Sequence, residues 1–368
     1  MTPDKAPRTE EEVLDAIERR RRRPVRKLLD ELITLSHGAG GKATHTLVEA
    51  LFLAELRNPA LEALTDSAVF SATENGSGPR LAFTTDSSVV NPLFFPGGDI
   101  GELAVNGTVN DLAMVGARPL HLSAGFILEE GFPIADLQRV VASMAAAART
   151  AGVTIVTGDT KVVERGKADG LYINTAGIGV LERDISLSPG AIRSGDRVLV
   201  SGTIGDHGMA VMIARGDLEL EVDLKSDTAS VAGLAATLLD AVGEGVRCLR
   251  DPTRGGLATV LAELALSAEL HIAIDEAALP VTPAVNGAVE ILGLDALYVA
   301  NEGKLVAVVA PEAAETALAA LRSHPLGAQA AIVADVRDDP PGLVILETAF
   351  GGSRVVDMLA GDPLPRIC

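Results

Sequence analysis

The chain has no tryptophan, and aromatic residues make up only 3% of its 368 positions. Hydrophobic residues nevertheless reach 48%, so any core must be packed from small and branched aliphatic side chains. Only two cysteines occur, Cys248 and Cys368. They are too few and too far apart for a disulfide framework or a cysteine-rich zinc site. No uninterrupted apolar run reaches the length of a membrane span, and the start lacks the basic-then-apolar pattern of a secretory leader. These absences imply a cytoplasmic protein with no membrane partner. Cations are also short: 31 Lys and Arg against 50 Asp and Glu give a net charge of −19. That excess argues against nucleic acid as a partner, whose phosphates need cationic contacts, and favours basic protein partners. The length suits two domains.

What is present concentrates between Thr84 and Pro119. Asp86 follows an apolar run, Asp99 follows Gly97-Gly98, and Asn110-Asp111 lie in an alanine- and valine-rich segment. Carboxylates in so apolar a setting need a partner, and a metal cation is a common one. Glycine lets a backbone approach a polyanion closely. The stretch therefore reads as a Mg-nucleotide site; the plainer alternative is a strand, a turn and a buried helix with incidental acids.

Residues 1–31 form a basic extension expected to be poorly ordered. Through Lys27 it holds nine Lys/Arg and six Asp/Glu, a net +3, which leaves −22 on the remainder. The N-terminal domain is assigned to 32–185. His37-Gly38-Ala39-Gly40-Gly41-Lys42 is a glycine-rich turn before a helical pattern, a combination that suits a phosphate, although it is not a Walker A motif. Leu81–Thr85 reads as a strand delivering Asp86. Apolar spacing from Ile100 to Val115 reads as a helix with Asn106 and Asn110 on one face. A strand over Leu120–Leu128 follows, then a helix over Leu137–Ala151 stopped by Gly152. A strand over Thr154–Thr157 ends in a loop, Gly158-Asp159-Thr160-Lys161, and Leu171–Val180 alternates as a further strand.

A Ser/Pro/Gly cluster near Ser186–Gly190 marks the boundary to a C-terminal domain, 186–348. There, strand patterns (Arg197–Ser201, Lys304–Val309, Ile332–Val336, Leu343–Glu347) alternate with helical ones, which reads as helices on a mixed sheet. Asp251-Pro252-Thr253-Arg254-Gly255-Gly256 opens one helix, and Asn301-Glu302-Gly303 is a turn before a strand. Residues 349–368, rich in Gly and Pro, read as a mobile tail that ends on Cys368. A thiol at the last position suggests a reactive group carried on an arm; the alternative is a ragged end. Cys248 reads as a small core residue.

Taken together, His37–Gly41, Thr84–Ser87, Pro96–Gly101, Gly107–Leu112, Thr157–Lys161, Asp251–Gly256 and the terminal Pro365-Arg366-Ile367-Cys368 resemble the HypE family of hydrogenase maturation factors. That family lies in the superfamily of aminoimidazole ribonucleotide synthetase, thiamine-monophosphate kinase and selenophosphate synthetase. The resemblance covers Leu32 to Cys368. The internal motifs specify only the superfamily, whereas the terminal Pro-Arg-Ile-Cys points to HypE.

The resemblance implies an α+β/α/β two-domain protein. The N-terminal mixed sheet would join its twin into a barrel in a homodimer, with ATP near the barrel. It implies an ATP-dependent dehydratase that converts a carbamoyl group on its own C-terminal cysteine to a thiocyanate, the source of the cyanide ligand of iron in [NiFe] hydrogenase. The implied partners are the carbamoyltransferase HypF and the iron-carrying HypC–HypD complex, and the implied cofactors are ATP and Mg²⁺. Catalytic candidates are Cys368, Glu302 as base with His37 second, and Lys161 holding the thiocarbamate. Nucleotide candidates are Gly40, Gly41, Lys42, Asp86, Asp99, Asn110, Asp111 and Asp159; metal candidates are Asp86, Asp111, Asp159 and Asp251. A small-molecule kinase or synthetase of the same superfamily is the alternative, and it would not need Cys368. A nucleotide-switched scaffold is a third.

Overall fold

The computed structural model describes residues 28–73, 76, 78–216, 223–359, 361, 364 and 366–368. The arginine-rich run and most of the extension, with Pro363 and Pro365 of the tail, lie outside the described residues. The first half builds a five-stranded mixed sheet. Its strands are β1 (Ala68–Ser71), β2 (Arg80–Ser88), β5 (Arg118–Glu129), β6 (Thr154–Val163) and β7 (Leu171–Leu181), in the order β1-β2-β7-β5-β6. A separate two-residue pair, β3 (Phe94–Phe95) and β4 (Gly98–Asp99), precedes the first long helix. Among the described strands of the five-stranded sheet only β5 and β6 run parallel, as a crossover through a helix between them requires.

That first long helix, α1 (Ile100–Met114), lies across the inner face of the sheet, and α2 (Ile134–Ala151) packs on α1. Nearly every α1 residue is buried, because the sheet covers one side and α2 and the second half cover the others. Its polar residues therefore point into protein, not water. Gly152 ends α2 in a left-handed conformation, as the sequence pattern predicts.

The second half builds a seven-stranded mixed sheet from β8 (Arg197–Val200), β9 (Val246–Arg250), β10 (His271–Asp275), β11 (Val306–Val309), β12 (Ala331–Arg337), β13 (Val344–Glu347) and β14 (Ser353–Val356). The order is β14-β13-β10-β12-β8-β11-β9. Its helices are α3 (Asp206–Ala214), α4 (Ala232–Val242), α5 (Gly256–Ala268), α6 (Pro283–Leu292) and α7 (Ala314–Ser323). The aliphatic core crosses between the halves: Met114 of α1 packs in one cluster with Leu234 and Leu238 of α4.

Two expectations change. The strand expected over Thr154–Thr157 runs on to Val163, so Asp159 and Lys161 sit within a strand and not on a loop. β-branched Val162 and Val163 continue the pairing with β5 where a turn was expected. The tail is also not free from residue 349. Ser353–Val356 pairs with β13, and the last residues are docked on the first half: the Val89 amide donates to the Cys368 carbonyl at 2.9 Å and the Asn91 amide to the Arg366 carbonyl at 3.1 Å.

Candidate active site

Three aspartates from three separate segments meet where the halves join. Asp66 precedes β1, Asp111 is on α1, and Asp251 follows β9; one carboxylate oxygen from each lies within 4.8 Å of the others. Thr84 of β2 sits between them, its hydroxyl 2.8 Å from Asp111 Oδ2 and 2.9 Å from the Asp66 carbonyl. Arg250 braces the group, 3.0 Å from Asp66 and 2.8 Å from Glu263. Burial pushes the Asp66 carboxyl up to about 6, against the pull of Arg250. Burial and the Asp66 charge push Asp251 up to about 7. Burial, with Asp251, Asp86 and Asp66, raises Asp111 well above the usual carboxylate range. Buried oxygen donors that repel one another in this way match a hard divalent cation such as Mg²⁺.

Asp86 enters the same field from β2. Register places it opposite Thr175 of β7, on the inner face toward α1. A β-carbon at Gly107 would fall 2.7 Å from Asp86 Oδ2, so only glycine lets α1 come this close to the carboxylate.

Glu302 and Cys368 complete the site. Glu302 is buried, and its Oε1 has no hydrogen-bond partner among the described residues. Burial raises its carboxyl well above the usual range, and the charges of Asp86, Asp251 and Asp227 raise it further, while Arg254 opposes them. Burial likewise pushes the Cys368 thiol up; Arg254 pulls it back, and Glu302, Asp86 and Asp251 add to the rise. Cys368, Arg254, Gly38 and Ala39 line one cavity with Ile367, Val89 and Tyr298. The terminal thiol, an unpaired buried acid, a guanidinium and the acid cluster therefore share one site.

The other expected residues are placed differently. Asp159 and Lys161 pair with each other on exposed β6. Register sets them beside Gly125 and Ile127, on the sheet face opposite Asp86, so within one chain they stand apart from the cluster. Asp99 caps α1, its Oδ1 accepting from the amides of Gly101 and Glu102. Asn110 spans the halves: its Nδ2 donates to the carbonyls of Ala229 and Glu302, and its Oδ1 accepts from the Val231 amide. Both donors of that amide are spent on main-chain carbonyls of the second half. His37 is taken by Thr34 through Nδ1 and by Asp30 at 3.3 Å through Nε2. Lys42 pairs with Asp357. Gly40 and Gly41 admit protein backbone: β-carbons there would meet Arg254 at 2.8 Å and the Leu359 carbonyl at 2.2 Å. The turn thus seats the Arg254 loop and the start of the tail.

The sequence reading missed four residues. Asp66 carries a usable signal, an acid directly before a strand that pairs with the strand of Asp86. Arg254 lies in a motif noted above but received no role. His207 and Asp227 gave no signal, because each acts only through residues distant in the chain. Asp227 bonds the Glu302 amide at 3.1 Å and Lys304 at 2.9 Å. Burial alone would raise it, but Lys304 and His207 bring it below the usual range.

Comparison with known proteins gives the family. Residues 64–181 match the AIR synthase related protein, N-terminal domain, and residues 193–346 match its C-terminal domain. The carbamoyl dehydratase HypE of Rhizobium leguminosarum bv. viciae is 55% identical over 336 residues, covering 91% of this chain and 95% of that protein. The chain belongs to the HypE family. Among solved structures, a HypE–HypF complex aligns with a TM-score of 0.80 at 49% identity, over 85% of this chain and 99% of the other. HypE in complex with ATP aligns at 0.76 and 49% identity, over 92% and 100%. That last relative holds ATP. Among the described residues no helix is long and apolar enough to cross a membrane.

Proposed function

We propose that this chain dehydrates an S-carbamoyl group on Cys368 to a thiocyanate, using ATP, in hydrogenase maturation. The observation that carries the residue assignment is the docking of the tail, which puts Cys368 in one cavity with Arg254 and within the electrostatic field of Glu302, Asp86 and Asp251. A kinase acting on a free metabolite has no need to bring its own C-terminus there.

A carboxamide oxygen is a poor leaving group. Attack of that oxygen on the γ-phosphorus of ATP releases ADP and makes the oxygen a phosphate ester. Loss of both N–H protons and departure of phosphate then leaves S–C≡N. Such a phosphoryl transfer depends on positioning and charge neutralisation. Asp66, Asp111 and Asp251, with Asp86 alongside, would hold Mg²⁺, which supplies that neutralisation when bound. Arg254 faces the thiol and is the group in place to balance charge on the phosphorylated oxygen. Glu302, with an unpaired oxygen, takes the nitrogen protons. Burial, then the charges of Asp86, Asp251 and Asp227, raise its carboxyl in the metal-free site; neutralising the Asp86 and Asp251 charges as the site fills removes part of that rise.

The outer face of the first sheet leaves Phe83 and Ile127 exposed, and the edge strand β6 is exposed along nearly its whole length. A long unpaired edge and an apolar face call for cover. A second copy would provide it, joining the two sheets into the expected barrel and offering Lys161 to the partner's site. HypF as carbamoyl donor and HypC–HypD as cyanide acceptor are the proposed protein partners, the first supported by the HypE–HypF complex.

The test is intact mass after incubation with the carbamoyltransferase, carbamoyl phosphate and ATP, comparing wild type with Cys368→Ala. A carbamoyl adduct confined to the wild type, losing one water only when ATP is present, is the expected result. No adduct at Cys368, with ATP consumed on addition of a small metabolite, would move the protein to the kinase reading.

A further inference from the structure

The last three residues are held by a recognition surface and not merely laid over the site. Residues 366–368 run antiparallel beside Val89–Asn91 and accept two main-chain bonds from it: the Val89 amide donates to the Cys368 carbonyl and the Asn91 amide to the Arg366 carbonyl. The Arg366 guanidinium returns a bond to the Val89 carbonyl at 3.2 Å and pairs with Asp169. Arg215 reaches both segments, donating to the Asn91 carbonyl at 2.8 Å through Nε and to the Arg366 carbonyl at 2.8 Å through Nη2. The side chain of Ile367 is buried in the apolar core, only 3% exposed.

Between Arg366 and Cys368, the Ile367 carbonyl meets fully buried His207, with Nε2 at 2.9 Å. Since a carbonyl only accepts, Nε2 carries the proton. Nδ1 faces the Ser226 hydroxyl at 2.8 Å, and the edge-on ring of Phe95, 5.5 Å away, fixes the imidazole plane. The main-chain bonds supply affinity, and the side-chain contacts of Arg366 and Ile367 supply selectivity.

We propose that the cleft formed by Val89–Asn91, Asp169, His207 and Arg215 is a sequence-selective peptide-binding site for a carboxy-terminal Arg-Ile-Cys segment, one that takes such a peptide free in solution as well as tethered. His207 and Arg215 are positioning residues: they set the main chain on either side of Ile367 and so aim the cysteine that follows. Tethering puts the chain's own tail at an effective concentration of order millimolar, so the native tail excludes a dilute competitor. That the bound peptide would also be dehydrated rests on the proposed function; the binding does not.

The probe is a fluorophore-labelled synthetic Leu-Pro-Arg-Ile-Cys peptide, read by anisotropy without ATP. Full-length Ile367→Asp and Arg366→Glu chains, whose own tails are expelled by a buried charge or by repulsion from Asp169, serve as receptors. Saturable binding to both, weaker by at least about tenfold on wild type and absent for a peptide with Asp in place of Ile, is the expected result. Adding His207→Leu or Arg215→Ala to the receptors should weaken binding, while His207→Gln, which keeps an N–H, should retain it. No saturable binding to either receptor while both still bind ATP would overturn the proposal. Equal binding of the Asp-containing peptide, or binding to wild type as tight as to the variants, would do the same. Because no carbamoyl group is present, failure here is distinguishable from failure of the dehydratase reading. If both hold, an S-carbamoylated peptide on these receptors loses one water in the presence of ATP.

Discussion

Asn110 Nδ2 donates to the main-chain carbonyl of Glu302 at 3.2 Å, although 192 positions separate the two residues. One side chain on α1 thus holds the proposed base of the second half in place. With its bonds to Ala229 and Val231, the same amide fixes the segment leading into α4.

Replacing Asn110 with Ala should leave these buried main-chain groups without partners. Each such group costs about 1–3 kcal/mol. The expected outcome is a lower denaturant midpoint, together with loss of dehydration larger than the loss of ATP affinity. Calorimetric ATP titration and intact-mass turnover measure the two separately. Equal loss of both would count against a role specific to Glu302.

Glu302→Gln keeps the size of the side chain and removes the proton acceptor. ATP should bind as in wild type, Cys368 should still accept the carbamoyl group, and loss of water should fall by at least about a hundredfold, the lower range for a general base. Unimpaired turnover would remove Glu302 from the mechanism.

The acid cluster predicts a pH dependence of stability in the metal-free chain. Asp66 and Asp251 sit at about 6 and about 7 when folded, against a usual 3.8. With folded values above unfolded ones, the folded state binds more protons between about pH 4 and 7, so these groups make stability fall as pH rises through that window. Magnesium replaces those protons. It should therefore raise the melting temperature more at pH 8 than at pH 5. Asp66→Asn should weaken the magnesium effect, and an effect independent of pH would argue against the cluster as the metal site.

Gly303 packs directly on the segment that positions Glu302. A β-carbon there would lie 1.8 Å from the Asp227 carbonyl oxygen. Gly303→Ala forces that segment away from the base and from Lys304, at a cost of about 1–3 kcal/mol, as overpacking usually does. Thermal unfolding would show it; a wild-type melting temperature would mean that the backbone there yields freely.

Much of this site was legible in order along the chain. The motif around Asp86 and Asp111, the Asp251 motif and the Glu302 turn were each marked by acids among apolar residues and glycines, and each delivers a group to the site. Asp99 and Asn110 carry the same signal yet serve as a helix cap and a strut, because residue type shows that a polar group needs a partner and not which partner it finds. Asp159 and Lys161 stand apart from the cluster within one chain for a geometric reason. A strand alternates faces, and only the register with β5 shows that they point away from Asp86.

By itself the sequence determined the family, two α/β halves, and the acids and terminal thiol proposed for the site, since these rest on residue types and local spacing. The tertiary structure alone decided that Asp66 joins Asp111 and Asp251, that Asn110 holds Glu302, and that His207 and Arg215 seat the tail. Those are contacts between segments far apart in the chain, and long-range packing of two sheets across one buried helix is what brings them within hydrogen-bonding distance.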